Sequence, residues 1–481
     1  MSTTAGTAAD PRRWKALGLL AIADFVVILD ATIVNIALPS IGRHLHASNA
    51  SLSWVISAYV LAFGALLLLG GRVADLFGRR RLFVGGLVTF GLASLAGGLS
   101  TSISELILFR ALQGAGAAAL APAARSIVTI LFEEGPERSK AMGIWAAVAG
   151  SGSVVGLILG GILTSSLGWQ WVLWVNVPVT LVCAAIAPRL VDESRADVED
   201  RSIDFAGAVL VAGGLVAILY ALVKANAAGW VSVQTIGLIA VGIALLTGFV
   251  AIERRVASPL LPLSVFRLPS VRAANIAMVL TAAAMVGMFF ILALYQQQLE
   301  GYSALRSGIS QLPLGIVLIG VAAFAGPFTE RVGAKRVLVT GLASFTVGIA
   351  WLSRMPLHGS YLTDIFGPSL VIGVGLALTF VALTISSVSG IDGGHSGVAG
   401  GLINTTQQVG GAIGLAIITA VATSVGHGST VPVTVDHGFQ TALVVASVIG
   451  ALGTLVALVL HPRRHTEAID APEAVAAAHA A

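Results

Sequence analysis

The sequence predicts an all-α membrane protein with fourteen transmembrane helices, and three observations indicate this fold class. The 481-residue chain is 56% hydrophobic and only 10% charged, whereas about 25% of the residues of a soluble domain are charged. Apolar stretches of about 20 residues, each long enough to cross a bilayer, recur from end to end. Basic residues gather in alternate connections between these stretches. Because hydrocarbon offers the backbone no hydrogen-bond partners, each stretch is predicted to be a helix.

The apolar stretches follow one another with short polar connections between them. We predict spans at 17–38, 53–70, 82–100, 106–130, 141–165, 171–190, 205–223, 233–252, 273–295, 308–328, 337–353, 366–388, 398–424 and 439–460. An even number of spans places both ends of the chain on the same side of the membrane.

The distribution of basic residues orients the chain. With the N-terminus in the cytoplasm, 22 of the 27 Lys and Arg residues fall on inner connections, on tails or at the inner ends of spans. Those on outer connections are Arg43, Lys224, Arg306 and Arg354, and Arg110 lies inside a span. Positive residues are enriched on the cytoplasmic side of membrane proteins, so both termini are predicted to be cytoplasmic. The preference for Arg over Lys, with abundant Ala, Gly and Val, is typical of a high-GC bacterial genome, so we expect the membrane to be a bacterial cytoplasmic (inner) membrane.

Two inner connections resemble each other and reveal an internal repeat. Residues 71–81 join spans two and three, and residues 326–336 join spans ten and eleven. The matching positions are Gly71, Asp75, Gly78, Arg80 and Arg81 in the first, and Gly326, Glu330, Gly333, Lys335 and Arg336 in the second. The copies are eight spans apart rather than six, so two extra helices are predicted between the halves. Alternatively, any tight inner turn favours Gly and Arg.

This repeat divides the chain into two halves around an inserted pair. The predicted organisation is a tail at 1–16, a six-helix half at 17–190, a linker at 191–204, two inserted helices at 205–252, a linker at 253–272, a second six-helix half at 273–460 and a tail at 461–481. Transporters built from repeated halves bind substrate between them, near the midplane of the bilayer.

Four motifs resemble those of the major facilitator superfamily, and specifically its drug:proton antiporters with fourteen spans. They are Leu29-Asp30-Ala31-Thr32-Ile33-Val34-Asn35-Ile36-Ala37-Leu38-Pro39 in span one, the 71–81 connection, Arg110-Ala111-Leu112-Gln113-Gly114-Ala115-Gly116 in span four, and the glycine-rich 152–161 in span five. They occur in the family's order and on the corresponding helices. Leu157 stands where that family usually has a proline.

The resemblance implies a major facilitator fold and efflux of drugs or natural products by alternating access, driven by protons. It also implies gating roles. The residues concerned are Asp75, Gly71, Gly78, Arg79 and Arg80 at the inner connection, and Gly152, Gly156 and Gly160 in span five, expected at the interface between the halves. The arginines could instead serve only membrane topology, and the glycines only close helix packing.

Charged residues inside the spans are the candidates for proton coupling. Asp30 lies near the middle of span one, where a carboxylate needs a partner, a wet cavity or a proton. Arg110 in span four is the predicted counterpart, because its guanidinium stays charged; the alternative is that it reaches to the membrane interface. Asp24 is a second candidate on another face of the same helix, six residues away. Either aspartate could instead be a structural or locally hydrated residue.

Polar and adaptable apolar residues in the spans are the candidates for substrate binding. They are Asn35, Gln113, Trp145, Met288, Asn404 and Gln408. Uncharged polar groups in a span need hydrogen-bond partners, which either a wet substrate cavity or a neighbouring helix supplies. Methionine adapts to irregular apolar ligands, although helix packing or lipid contact accounts for it equally well.

Several function classes are disfavoured by motifs that the sequence does not contain. There is no Gly-Lys pair for a phosphate-binding loop, no Gly-x-Ser-x-Gly and no His-Glu-x-x-His, which argues against an ATP-driven pump or a hydrolase.

We expect no enzyme activity, cofactor, metal or nucleic-acid partner. The expected protein is a monomer in the lipid bilayer that uses the proton gradient and takes a small lipophilic substrate, for which positive charge is allowed but not required. The alternative is a proton-coupled uptake carrier for a small metabolite.

Overall fold

The computed structural model describes residues 12–132, 136–195, 204–256, 263–357, 359–388, 396–426 and 431–460. Within these ranges every regular element is helical. The α-helices are α1 (Arg13–His44), α2 (Asn49–Phe77), α3 (Arg79–Gly98), α4 (Ile103–Leu131), α5 (Pro136–Ser166), α6 (Trp171–Trp174), α7 (Asn176–Leu190), α8 (Phe205–Ala228), α9 (Val233–Glu253), α10 (Pro269–Leu294), α11 (Ala304–Val332), α12 (Ala334–Leu352), α13 (Gly367–Val388), α14 (Ser396–Val425) and α15 (Pro432–Leu460). A 3-10 turn (Leu263–Arg267) and two π-helical turns (Tyr295–Leu299 and Tyr361–Phe366) complete them.

These helices give a multi-pass membrane protein. In the described part of the chain, twelve helices are long and apolar enough to cross a membrane. Helices α5 and α8 lie where spans five and seven were predicted, and among the residues that the structure describes their apolar segments are Val155–Ser166 and Ala206–Leu222. The count of fourteen spans therefore stays a prediction.

The observed helices refine two predicted spans. Span six was predicted over 171–190, and a single membrane span covers Trp171–Leu190, with one turn residue, Val175, between α6 and α7. Span nine was predicted to end at Tyr295. Instead, α10 continues into the π-helical turn Tyr295–Leu299. Both irregularities lie beside contacts described below.

Serine side chains begin four helices at the end of the bundle predicted to face outward. Ser48, Ser102, Ser232 and Ser303 each accept a hydrogen bond from a backbone N–H in the first turn of the following helix. Glu105 completes a capping box with Ser102. These caps satisfy N–H groups that a helix cannot pair internally, so short connections suffice at this end.

The two copies of the repeat have the same backbone geometry at the opposite, predicted inner end. A single glycine separates α2 from α3, and another separates α11 from α12. Gly78 has φ +117° and Gly333 has φ +97°, values that residues with a side chain rarely adopt. The match in conformation supports a true repeat over a shared preference for Gly and Arg.

The repeat also appears in helix packing. Helices α1–α7 pack mainly among themselves, as do α10–α15. The two halves meet where α5 contacts α11 and where α2 contacts α14; these contacts are called here the half-to-half interface. The inserted pair α8–α9 lies beside it, because α8 packs against both α2 and α14. Trp54 of α2 and Tyr220 of α8 are in ring contact at 6.1 Å between centroids.

Candidate functional site

A cluster of buried polar side chains lies inside the first half, centred on Asp30 of α1. The Asp30 side chain is 0% exposed. Its Oδ2 accepts a hydrogen bond from Arg110 Nη1 at 2.5 Å, and its Oδ1 accepts from Gln113 Nε2 at 2.9 Å and from Asn176 Nδ2 at 2.7 Å. Three donors from α4 and α7 therefore surround one carboxylate, which offsets its removal from water.

Arg110 is enclosed in the same cluster. Its guanidinium lies 4.3 Å from the centre of the Tyr59 ring, and its Nε donates to the Val55 carbonyl at 3.0 Å. Nη1 also donates to Gln113 Oε1 at 2.8 Å. Only 1% of the residue is exposed, so the alternative that Arg110 reaches to the membrane interface is wrong. Arg110 was predicted to lie near Asp30, and in the structure the two side chains are in direct contact.

Gln113 occupies a different place from the one predicted. It was expected to contact substrate, but it is 1% exposed and its amide is fully used within the cluster. Besides Asp30, its Nε2 donates to Ser94 Oγ at 2.7 Å, while Oε1 accepts from Arg110. Its spacing three residues after Arg110 places both on one face of α4, and that face points into the first half.

Asn176 is the member of the cluster that the sequence reasoning missed. It is the first residue of α7, directly after the turn residue Val175, and is 1% exposed. Its backbone carbonyl accepts from Thr180 Oγ1 at 2.8 Å. A lone amide inside an otherwise apolar span was the available signal, because a buried amide needs partners. The sequence did not reveal that its partner is Asp30.

Asp24 lies on the other side of α1, as its spacing from Asp30 predicted. It is partly exposed, together with Ile28, Ala31 and Asn35, which follow it at helical spacing. We call these four residues the α1 stripe. The Trp145 side chain forms a hydrogen bond with Asp24, and the charge of Arg125 acts on its carboxylate. The two aspartates thus have separate surroundings.

The remaining substrate candidates are placed unequally. Met288 is 0% exposed and packs in the core, so it does not line an open space as predicted. Trp145 is 5% exposed. Asn404 and Gln408 of α14 are half-buried, and the Gln408 Cβ lies against Gly64 of α2 at the half-to-half interface.

The glycines of α5 contact a different helix from the one expected. Gly152, Gly156 and Gly160 face α1, where their positions lie against the backbone at Phe25, Leu29 and Ile33. They pack α5 against α1 within the first half. On α5, the residues at the half-to-half interface are instead Leu157, whose carbonyl lies against Gly308 of α11, and Gly161, which lies against Leu305. The three glycines were expected between the two halves, and this prediction is wrong. They lie on an adjacent face of α5, which packs against α1.

The inner connection at 71–81 also contacts its own half. Arg80 and Arg81 lie 3.7 and 3.6 Å from the Glu193 carboxylate, and Arg80 Nη1 donates to the Val191 carbonyl at 3.2 Å. Arg79 N donates to the Ser194 carbonyl at 3.0 Å. These bonds tie the α2–α3 turn to the segment that follows α7.

The other gating candidates add little to this turn. A Cβ added at Gly71 would be in ordinary contact with Pro122 of α4, and Gly78 forms the turn itself. The side chain of Asp75 lies outside the described part of the structure. The sequence reasoning missed Glu193. The signal available for it was an acidic residue beside basic residues at the end of a span.

At the predicted outer end, side-chain hydrogen bonds join the two halves. Gln297 Nε2 donates to the Ile36 carbonyl at 2.9 Å, and Gln298 Nε2 donates to Asn49 Oδ1 at 3.3 Å. Leu305 N donates to Ser165 Oγ at 3.3 Å. Ile36, Leu157 and Ala304 form a small buried apolar cluster nearby. The π-helical turn, which carries both glutamines, therefore closes this end against α1 and α2.

The fold and this cluster define a polytopic membrane transporter: two repeated helical halves, with a buried ion pair inside one of them. The family model described as Major Facilitator Superfamily matches residues 20–415. The chain belongs to this superfamily.

Named relatives agree with this assignment. The chain is 40% identical over 474 residues to the puromycin resistance protein of Streptomyces alboniger, covering 96% of this chain and 93% of the relative. It is also 40% identical over 440 residues to the cephamycin export protein of Amycolatopsis lactamdurans, covering 91% and 90%.

The fold itself is similar to solved structures at low sequence identity. One is a bacterial homologue of the human lysosomal transporter Spinster in an inward-facing, unoccupied conformation. It matches with a TM-score of 0.67 at 16% identity, covering 94% of this chain and 97% of that one. This likeness bears on the fold alone.

Proposed function

We propose that the protein exports small lipophilic compounds in exchange for protons. The observation that carries the proposal is the buried Asp30 carboxylate, paired with Arg110 inside a major facilitator fold. Ionisable groups within membrane spans mark proton and substrate pathways. The relatives named for puromycin resistance and cephamycin export support outward transport.

Protonation of Asp30 changes what holds α1 in place. The carboxylate attracts Arg110 of α4 and accepts from Asn176 of α7. A neutral carboxyl group attracts the guanidinium less, because a charge-assisted hydrogen bond is about twice as strong as a neutral one. Proton binding therefore loosens α1 from α4 and α7. The Ile36 carbonyl on the same helix accepts a hydrogen bond from Gln297 of the other half. Movement of α1 therefore alters the contacts between the halves at the predicted outer end.

The proposed substrate route follows the α1 stripe and the half-buried amides of α14. Asp24 and Trp145 combine a carboxylate with an indole ring, a pairing that favours a lipophilic cation. Asn35 on α1 and Gln408 on α14 would supply hydrogen bonds. In alternating access the substrate enters from the cytoplasm and a proton taken up outside displaces it.

We further propose that both termini are cytoplasmic, that the protein is a monomer in a bacterial inner membrane, and that the proton gradient is its energy source without a cofactor. The charge distribution supports the orientation. A green fluorescent protein fused after Ala481 checks it, since this reporter fluoresces only in the cytoplasm. Fluorescence is expected; a dark, exported fusion would contradict the orientation.

The test of the function is efflux of ethidium from energised cells, with and without a protonophore, for the wild type and Asp30→Asn. We expect protonophore-sensitive efflux in the wild type and its loss in the variant. Glu137→Gln is the matched control, because Glu137 forms an exposed pair with Arg13 at 2.8 Å. It should keep full efflux.

Two outcomes would contradict the proposal in different ways. Full gradient-driven efflux by Asp30→Asn would remove proton coupling from Asp30. Proton-stimulated accumulation of a metabolite, with no efflux of any lipophilic compound, would favour the uptake carrier instead.

A further inference from the structure

The neighbours of Asp30 differ in what they offer to a protonated carboxyl group. If Asp30 binds a proton during transport, as proposed above, it changes from an acceptor to a group with one O–H donor. That donor is fully buried, and a buried donor without an acceptor is unfavourable. One neighbour must therefore accept from neutral Asp30.

Arg110 and Gln113 cannot take this role. A guanidinium has no acceptor. The Gln113 oxygen accepts from Arg110 Nη1, while its nitrogen donates to both Asp30 and Ser94. Turning this amide over would break those bonds and direct its NH2 group at the guanidinium. Gln113 is therefore fixed in one orientation.

Asn176 differs from Gln113 in having half of its amide unused. Nδ2 donates to Asp30 Oδ1 at 2.7 Å, but Oδ1 of Asn176 is buried and has no hydrogen-bond partner. A half-turn of this amide exchanges the two groups and costs no other side-chain bond recorded for it. Either orientation leaves one amide group unpaired, so the protonation state of Asp30 decides which is favoured.

We propose that Asn176 is a positioning residue that follows the protonation state of Asp30. Towards the carboxylate it presents Nδ2 as a donor; towards the neutral acid it presents its oxygen, which accepts the new O–H. The proton binds one carboxylate oxygen of Asp30, no other covalent bond changes, and Arg110 stays charged. The turn of the amide thereby supplies the acceptor that Arg110 and Gln113 lack.

The test compares Asn176→Leu, which can neither donate nor accept, with Asn176→Ser, which can do both. Asn275→Leu is the matched control, since Asn275 is a 3% exposed amide on α10 that donates to the Val271 carbonyl and accepts from Thr406 of α14, away from Asp30. Infrared difference spectra of the purified protein between high and low pH record the C=O band of the protonated Asp30, defined as the band lost in Asp30→Asn.

In Asn176→Leu we expect this band to move to the higher wavenumber of an acid without an acceptor. Asn176→Ser and Asn275→Leu should leave it near the wild-type position. Protonophore-sensitive efflux should fall about tenfold or more in Asn176→Leu, with an altered pH profile, and recover in Asn176→Ser. If the leucine variant does not fold, Asn176→Ala serves for the same measurements, because alanine removes the amide without adding a bulky side chain between the helices.

The outcomes separate this inference from the function on which it rests. An Asp30 band that Asn176→Leu and Asn176→Ala leave unmoved, with an unchanged pH profile, would overturn the role of Asn176 while proton coupling stands. Absence of any Asp30 band together with full efflux in Asp30→Asn would overturn the proton-coupling role itself.

Discussion

At the scale of single residues, the pairing of Asp30 with Arg110 dominates the first half. Both side chains are buried, at 0% and 2% exposed, so neither charge is stabilised by water. Removing one partner of such a pair is costly, because the other is left buried and uncompensated. Removing both is far less costly. Substitutions in this pair should therefore change the stability of the protein as well as its transport activity.

We predict that Arg110→Met lowers stability by about 3–5 kcal/mol, seen as a lower apparent melting temperature of the detergent-purified protein. The double variant Asp30→Asn with Arg110→Met should recover much of the loss, because no buried charge then remains. Glu137→Gln is the control. The Glu137 side chain is 56% exposed, and a surface pair such as the one it forms with Arg13 contributes only about 0–1 kcal/mol.

Equal losses in the single and double Arg110 variants would mean that packing of the Arg110 side chain, and not its charge, stabilises the cluster. That result would also weaken the view that protonation of Asp30 loosens α1.

At the scale of elements, the contact between α1 and α5 depends on glycines at every fourth position. Gly152, Gly156 and Gly160 bring the two backbones close together, as small residues do in membrane helix pairs. The spacing of four was readable in the sequence and predicts a flat ridge. The partner of that ridge was not, since α5 presents Leu157 and Gly161 to α11 on an adjacent face.

Gly160→Val should therefore destabilise the first half by about 1–3 kcal/mol through overpacking. A Cβ at this position would lie 2.9 Å from Ile33 Cγ1 and 3.0 Å from the Ile33 carbonyl oxygen. Thermal unfolding in detergent measures the effect. Gly320→Val is the matched control, because a Cβ at Gly320 meets nothing within 4 Å. Equal stability of both variants would show that α1 and α5 adjust without cost.

At the scale of the whole molecule, the two halves are joined by polar contacts at the predicted outer end. In the π-helical turn, Gln297 donates a hydrogen bond to α1 and Gln298 donates one to Asn49 at the start of α2. Polar side-chain contacts of this kind can open and close at small free-energy cost, because each net hydrogen bond contributes only about 0.5–1.5 kcal/mol. This arrangement suits an interface that must separate once in every transport cycle.

A reversible cross-link across this closure should stop transport. The single native cysteine, Cys183, is buried, so a Cys183→Ala background with Asn49→Cys and Gln298→Cys gives two unique thiols. We expect a short bifunctional thiol reagent to abolish ethidium efflux and a reducing agent to restore it. Each single-cysteine variant is the control and should keep efflux after treatment. Full efflux by the cross-linked protein would show that the outer end need not open.

The sequence by itself determined the membrane class, the helical fold, the repeat and the two motifs that contain Asp30 and Arg110. These are local properties: apolar length specifies a span, alternating basic connections indicate its direction, and a charge in hydrocarbon requires a partner. Only the tertiary structure decided which partners meet, including Asn176 at Asp30, Gln113 inside the cluster rather than on the substrate route, and α1 against the α5 glycines. The physical reason is that helical spacing fixes which residues share a face, whereas the neighbour of that face depends on how all the helices rotate and pack together.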